Sequence, residues 1–150
     1  MRPKIRPMRL DDIPEVVQIE KACQPHPWDD LRFRRELAND RARLTVACNQ
    51  GGLCGFLVCW LIAGEVEIHN ICVAPACRRK GIARSLLNEL FSSCLEAERF
   101  LLEVRRGNTA AIELYRQCGF HVDGIRPGYY HDGEDALLMS RPARKAGSGE

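Results

Sequence analysis

The sequence lacks any long apolar run, because nowhere does it contain the roughly 18 consecutive apolar residues that a membrane-spanning helix needs. Residues 1–10 are basic but contain no apolar stretch of the kind found in a secretory signal. We therefore expect a cytoplasmic protein that has no membrane partner.

A strong excess of charge of either sign is also missing. The chain has 22 Lys and Arg against 20 Asp and Glu, which leaves a formal net charge of +2. This balance does not indicate a nucleic-acid partner. Basic residues are nevertheless concentrated at Arg78, Arg79, Lys80 and Arg84.

Metal-binding cysteine patterns are absent, although eight cysteines are present. No two of them form a C-x-x-C pair, and no His pair accompanies them, so a zinc site or redox dithiol is not indicated. A cytoplasmic location also disfavours disulfides. Several cysteines fall inside apolar patterns: Cys48, Cys59, Cys72 and Cys94. We expect reduced thiols that pack as small apolar side chains.

Hydrophobic periodicity, turn residues and capping residues predict an alternation of strands and helices. Strands are expected at 5–10, 43–48, 53–62, 65–73, 99–105, 120–125 and 135–140, and helices near 11–23, 29–38, 83–94 and 108–117. This order predicts a single α/β (α+β) domain over residues 1–140, with a mixed sheet of about seven strands and about four helices. Residues 141–150 are small and polar, and we expect a disordered tail.

The most informative segment is the loop V-A-P-A-C-R-R-K-G-I-A, which joins a strand to the longest predicted helix. Helix N-termini carry unpaired N–H groups and partial positive charge, and they therefore bind phosphate. Gly81 lets a ligand approach the backbone closely. The Walker loop and the dinucleotide fingerprint are both absent, which argues against ATP and NAD.

The spacing R-x-x-G-x-A in this loop resembles the coenzyme A pyrophosphate motif of the GCN5-related N-acetyltransferase superfamily, written Q/R-x-x-G-x-G/A. The resemblance implies acetyl-coenzyme A (acetyl-CoA) as cosubstrate and implies an acyltransferase fold. It assigns coenzyme contacts to Ile71, Cys72, Val73, Arg78, Arg79, Lys80, Gly81, Ile82, Ala83, Arg84 and Asn108.

Further segments, E-V-R, N-T-A-A-I, L-Y and C-G-F, resemble the second half of that superfamily. With P-W-D, N-I-C-V and G-Y-Y, they are most similar to its ribosomal-protein-alanine N-acetyltransferases, although those proteins often have Asn where Gly128 stands. The resemblance spans residues 5–140 and implies that the acceptor is the N-terminus, with alanine first, of a small-subunit ribosomal protein.

The chemistry requires a neutral amine and a proton for the leaving thiolate. An α-amine with a pKa near 8 is about one-quarter neutral near pH 7.5, whereas lysine is neutral to about one part in a thousand. Glu103 interrupts an apolar strand, and the resemblance implies that it is the base; Glu67 and Glu65 are the alternatives. Tyr115 is implied as the proton donor.

The acceptor side is indicated by aromatic and proline residues that could line a peptide groove: Pro27, Trp28, Tyr129 and Tyr130. Two other functions remain open at this point. One is an acetyltransferase for a small amine such as a polyamine or aminoglycoside, which would need an acidic acceptor patch. The other is a non-catalytic acyl-CoA-binding module, which would need neither acid nor base.

Overall fold

The computed structural model describes residues 2–143. Its regular elements are β1 Lys4–Pro7, α1 Ile13–Cys23, α2 Asp30–Leu37, β2 Ala42–Asn49, β3 Gly52–Ile62, β4 Glu65–Val73, α3 Ile82–Ser93, β5 Arg99–Arg105, α4 Thr109–Gln117, β6 His121–Arg126 and β7 Ala136–Pro142. Seven strands form one sheet in the order β1-β2-β3-β4-β5-β7-β6. The predicted mixed sheet and its flanking helices are confirmed.

All neighbouring strands pair antiparallel except β4 and β5, which are parallel. A parallel pair needs a crossover between its strands, and α3 supplies it. The apolar stripe predicted for α3 is buried along Ile82, Leu86, Leu87 and Leu90. The loop that precedes α3 therefore lies at the end of β4, near the middle of the sheet.

The parallel strands β4 and β5 stay together for only part of their length. Their paired residues run from Glu65 opposite Arg99 to Ile68 opposite Leu102, and no pairing follows. On its other edge, β4 has a bulge at His69, because Val58 of β3 pairs with Asn70 and the next residue pairs with Ile68. A bulge bends a strand. Beyond Ile68 the two strands separate, and this separation opens the gap in which the candidate site lies.

Two apolar layers cover the faces of the sheet. One layer packs α3 and α4 on the sheet, with buried members that include Leu87, Phe100, Tyr115 and Phe120. The other packs α1 and α2, with buried members that include Ile13, Val16, Phe33 and Phe56. Burial of each large apolar side chain contributes about 1.5–3 kcal/mol. These layers hold rigid the elements that border the gap.

The first and last strands of the chain differ from the sequence prediction. The strand predicted over 5–10 ends at Pro7, because a 3₁₀ turn at Leu10–Asp12 follows, in which Asp12 accepts from Arg9 N–H at 2.8 Å. At the other end of the chain, β7 continues two residues past the predicted 140. Its Arg141 is buried, stacks on Phe91 at 3.9 Å and donates to Cys118 O. The rest of the predicted tail, 144–150, lies outside the described residues.

The eight cysteines are all free thiols. Of the four predicted to pack as apolar side chains, Cys59, Cys72 and Cys94 are buried and Cys48 is half-buried. Burial raises the pKa of the Cys59 thiol to about 12, so it stays protonated at neutral pH. Among the helices within residues 2–143, none combines the length and apolar character needed to cross a membrane.

Candidate active site

Two cavities meet at the gap between β4 and β5. The first has a volume of about 300 Å³ and includes Asn108 and Tyr115 in its lining. The second has a volume of about 770 Å³ and includes Glu67 and Arg126. Six residues line both cavities: Trp28, Ile68, His69, Leu102, Glu103 and Tyr130. Two reactants that enter from opposite sides would therefore meet next to Glu103.

The start of α3 has the features of an anion site. Gly81 is its N-cap and adopts a left-handed conformation with φ of 75°. A Cβ built on Gly81 meets no atom within 4 Å, so the backbone there is open to a ligand. The first helical hydrogen bond runs from Ser85 N–H to Gly81 O, which leaves the N–H groups of Ile82, Ala83 and Arg84 without helical partners. A pyrophosphate fits this chemistry.

The basic residues of this loop are exposed, but two of them have protein partners. Arg78 turns back towards the sheet, where its Nε donates to Val73 O at 3.4 Å. Arg84 contacts Gln117 of α4. Within residues 2–143, Arg79 and Lys80 form no ion pair. Arg79 also has a positive φ of 65°, an uncommon conformation for a residue with a side chain. The loop thus presents positive charge beside the open backbone of the helix.

The free edge of β4 offers backbone groups to an extended ligand. Ala74 N–H donates to Cys54 O on β3 at 2.7 Å. Because backbone groups alternate in direction along a strand, those of Cys72 also face β3, while those of Ile71 and Val73 face the gap. Of the three β4 residues predicted to contact the coenzyme, Ile71 and Val73 therefore have the suitable orientation, and Val73 O also accepts from Arg78 Nε. An extended arm of a ligand could bind there like an added strand.

Tyr115 lies on α4 and is buried, with 7% of its surface exposed. Burial raises the pKa of its hydroxyl, so the group stays protonated and can act as a proton donor. Asn108 lies about two helical turns earlier and lines the same cavity. Its Oδ1 caps α4 by accepting from Ala111 N–H at 3.2 Å. This cap leaves the Nδ2 group of Asn108 available to a ligand.

Glu103 lies on β5, one residue past the last position that pairs with β4, and 33% of its side chain is exposed. Arg126 Nη1 lies 3.2 Å from its carboxylate. The neighbouring Glu103 carboxylate raises the pKa of the Tyr129 hydroxyl. Arg105, two residues further along β5, pairs with Asp132 and Glu134 of the loop before β7 and not with Glu103.

The alternative bases are placed differently. Glu67 lines only the second cavity, and its carboxylate lies 3.1 Å from His69 Nε2. Glu65 pairs with Arg99 at 2.7 Å and lines neither cavity. Glu103 is the one of these three carboxylates that borders the cavity containing Tyr115. The geometry therefore favours Glu103.

Of the four residues predicted for an acceptor groove, Trp28, Tyr129 and Tyr130 line these cavities. Pro27 lines neither cavity, but the preceding residues Pro25 and His26 line the first. Arginine side chains stack on the three aromatic rings: Arg32 on Trp28 at 3.9 Å, Arg126 on Tyr129 at 5.2 Å and Arg105 on Tyr130 at 4.1 Å. Such stacking adds a cation–π attraction between each arginine and its ring. The second cavity thus combines aromatic faces with charged groups.

Two buried polar residues that line the first cavity were not predicted as site residues from the sequence. Glu20 and Asn70 are buried, with 1% and 7% of their surfaces exposed, and both line it. A signal was present for Glu20, because it falls on the stripe of α1 that carries Ile13 and Val16. A charged residue on the inward stripe of a helix indicates a buried partner.

Comparison with known proteins adds to this geometry. Residues 13–120 match the sequence profile of the acetyltransferase (GNAT) family. A Bacillus subtilis (strain 168) protein, provisionally named a [ribosomal protein bS18]-alanine N-acetyltransferase, is 37% identical over 139 residues, covering 90% of this chain and 92% of that protein. An N-alpha-acetyltransferase of Saccharolobus solfataricus is 32% identical, covering 92% of each chain. The crystal structure of the Escherichia coli ribosomal-protein-S18-alanine N-acetyltransferase superposes with a TM-score of 0.87 at 31% identity, covering 99% of this chain and 98% of that one.

Proposed function

The chain belongs to the acetyltransferase (GNAT) family, and on that premise we propose that it transfers an acetyl group from acetyl-CoA to the N-terminal α-amine of a protein. The N-terminal alanine of ribosomal protein bS18 is the proposed acceptor, because relatives are named for that activity. The cytoplasm, where ribosomal proteins are made, is the proposed location. The observation that carries the proposal is that Glu103 borders two cavities, one of which holds Tyr115.

Acetyl-CoA would supply a thioester whose carbonyl carbon accepts the amine. The α3 N-terminus with its basic loop would bind the pyrophosphate, and the free edge at Ile71 and Val73 would bind the pantetheine arm together with Asn108 Nδ2. Gly81 fits this role because no protein atom lies within 4 Å of its Cβ position.

Glu103 would accept the proton that the amine loses, through one of its carboxylate oxygens and directly or through one water. Its ion pair with Arg126 would orient the carboxylate. Tyr115 would donate its hydroxyl proton to the thiolate that leaves. Its raised pKa suits this step, because the group enters each turnover protonated. An α-amine needs only a modest base, since a large fraction is already neutral near pH 7.5.

A polyamine or aminoglycoside acceptor is less well supported. Three carboxylates line the second cavity, from Glu67, Glu103 and Asp123, but three arginines line it as well: Arg32, Arg99 and Arg126. A polycation would gain little from such a balanced surface. A non-catalytic module is also disfavoured, because both proposed proton-transfer residues line the cavities.

The test compares two peptides with the same sequence, which begins with alanine and contains an internal lysine. One peptide has a free N-terminus, and the N-terminus of the other is acetyl-capped. We expect mass spectrometry to show one acetyl group added to the free peptide and none added to the capped peptide. Spermidine serves as a third acceptor. Equal turnover of the capped peptide or of spermidine would overturn the N-terminal assignment.

A further inference from the structure

One carboxylate beside the first cavity has no role in the chemistry above. Glu20, in the last turn of α1, has 1% of its surface exposed. One of its oxygens accepts from Asn70 Nδ2 at 3.0 Å and from Cys72 Sγ at 3.3 Å, and the other accepts from Trp28 N–H at 3.0 Å. Burying a carboxyl group is costly unless its oxygens are hydrogen-bonded, and here three donors satisfy them.

The three donors come from two separate walls of the site. Trp28 belongs to the loop between α1 and α2, whereas Asn70 and Cys72 belong to β4 beyond its bulge. In that part of β4 the pairing with β5 has already ended, so its alignment depends on β3 and on side-chain contacts such as these. Glu20 therefore connects the loop that carries Trp28 to the part of β4 that is proposed to bind the coenzyme arm.

The network is set up to be rigid and not to exchange protons with a substrate. Burial and the neighbouring Glu20 raise the pKa of Cys72, so its thiol keeps the proton that it donates. Gln24 Nε2 adds a contact to Asn70 Oδ1 at 3.5 Å, which fixes the Asn70 amide with its nitrogen towards Glu20. With its oxygens engaged and almost no exposure, Glu20 is not placed to deprotonate an amine.

We propose that Glu20 is a positioning residue for acetyl transfer. It holds Trp28 and residues 70–72 at a fixed separation, so that the acceptor amine and the thioester meet beside Glu103. This inference rests on the proposed function. Displacing a reacting group by about 1 Å can reduce the rate by about 100-fold, so loosening this connection should act on turnover more than on coenzyme binding, which depends mainly on the loop before α3.

The test uses Glu20→Gln, in which an NH₂ group replaces one oxygen and faces a donor. Asp12→Asn is the matched control: Asp12 is also a buried carboxylate, 7% exposed, and it accepts from Arg6 Nη1 at 2.8 Å and Arg9 N–H at 2.8 Å, but neither it nor these partners line the cavities. The double variant Glu20→Gln with Asn70→Asp exchanges donor and acceptor, so that the amide of residue 20 donates to the carboxylate of residue 70.

We expect Glu20→Gln to lower kcat/KM for an alanine-first peptide by about 10- to 100-fold, with the acetyl-CoA Kd in calorimetry changed less than about threefold. The double variant should recover most of the loss. Asp12→Asn should lower the melting temperature without a comparable loss of kcat/KM. Equal losses in both single variants, or no recovery in the folded double variant, would overturn the proposal.

Three further outcomes have different consequences. If Glu20→Gln does not fold, Asn70→Ala is used instead, because it removes one donor; a folded Asn70→Ala protein with wild-type kcat/KM would overturn the proposal. A wild-type protein that is inactive on every α-amine peptide would overturn the proposed function. An active wild type beside an equally active Glu20→Gln variant would overturn the inference about Glu20 alone.

Discussion

Substitution of Gly81 tests the proposed coenzyme site, and the structure allows the size of the effect to be estimated. Its backbone is left-handed, with φ of 75°, and a Cβ there meets no atom within 4 Å. Gly81→Ala therefore causes no clash but introduces a conformational cost of about 1–2 kcal/mol. For a chain of this length, such a cost lowers the melting temperature by about 2–8 °C. The protein should stay folded at 25 °C.

Gly81→Asp adds a negative charge that projects into the open space beside the helix N-terminus. Two like charges about 5 Å apart repel by about 3 kcal/mol at an effective dielectric constant near 20, before screening by salt. We expect the affinity for acetyl-CoA to fall at least about tenfold, which corresponds to about 1.4 kcal/mol. Asp and Asn both tolerate left-handed backbone, so Gly81→Asn separates the effect of charge from that of size.

Titration calorimetry with acetyl-CoA measures these affinities, and circular dichroism checks the fold. Gly133→Asp is the matched control, because Gly133 also has a positive φ of 88° and open space at its Cβ position, but lies in the loop before β7. We expect the control to bind acetyl-CoA with wild-type affinity. A folded Gly81→Asp protein that binds equally tightly would refute the assignment of the pyrophosphate loop.

The remaining predictions concern proton donation and stability. Tyr115→Phe should lower kcat by a factor that stays constant between about pH 6.5 and 9, because burial raises the pKa of Tyr115 above that range; pH–rate profiles check this, and a factor that changes with pH would contradict it. Arg141→Met removes the hydrogen bond to Cys118 O and should lower the melting temperature by several degrees with unchanged kcat/KM; thermal melts and initial rates check this, and an unchanged melting temperature would contradict it.

Local patterns predicted the elements well, because the apolar stripe of α3 and the alternating strands are encoded in adjacent residues. The residue at which a strand ends depends on contacts with distant parts of the chain. β7 continues to Pro142 because Arg141 contacts Phe91 and Cys118, which are remote in sequence. No local pattern carries this information, so the small and polar residues after 140 suggested a tail.

The residues proposed for the site could be named from the sequence, but their arrangement could not. The loop motif and the strand carrying Glu103 are read directly from the sequence. The role proposed for Glu103 rests on its place just beyond the last β4–β5 pair, close to the bulge at His69. Bulges and strand separation depend on pairing between distant segments. The same limit explains why the partner of Glu103 is Arg126 and not the nearby Arg105.

The central claim is that Glu103 accepts the proton of an α-amine. Glu103→Gln keeps the size of the side chain but cannot accept a proton at neutral pH, whereas Glu67→Gln makes the same change on β4 in the second cavity only.

The decisive measurement is kcat/KM against pH for both variants and for the wild type, with an alanine-first peptide. We expect Glu103→Gln to lose about 10²–10⁴-fold near pH 7 and to recover partly at higher pH, where hydroxide deprotonates the amine, while Glu67→Gln stays close to wild type. Wild-type activity in Glu103→Gln together with a large loss in Glu67→Gln would contradict the claim and would place the base on β4.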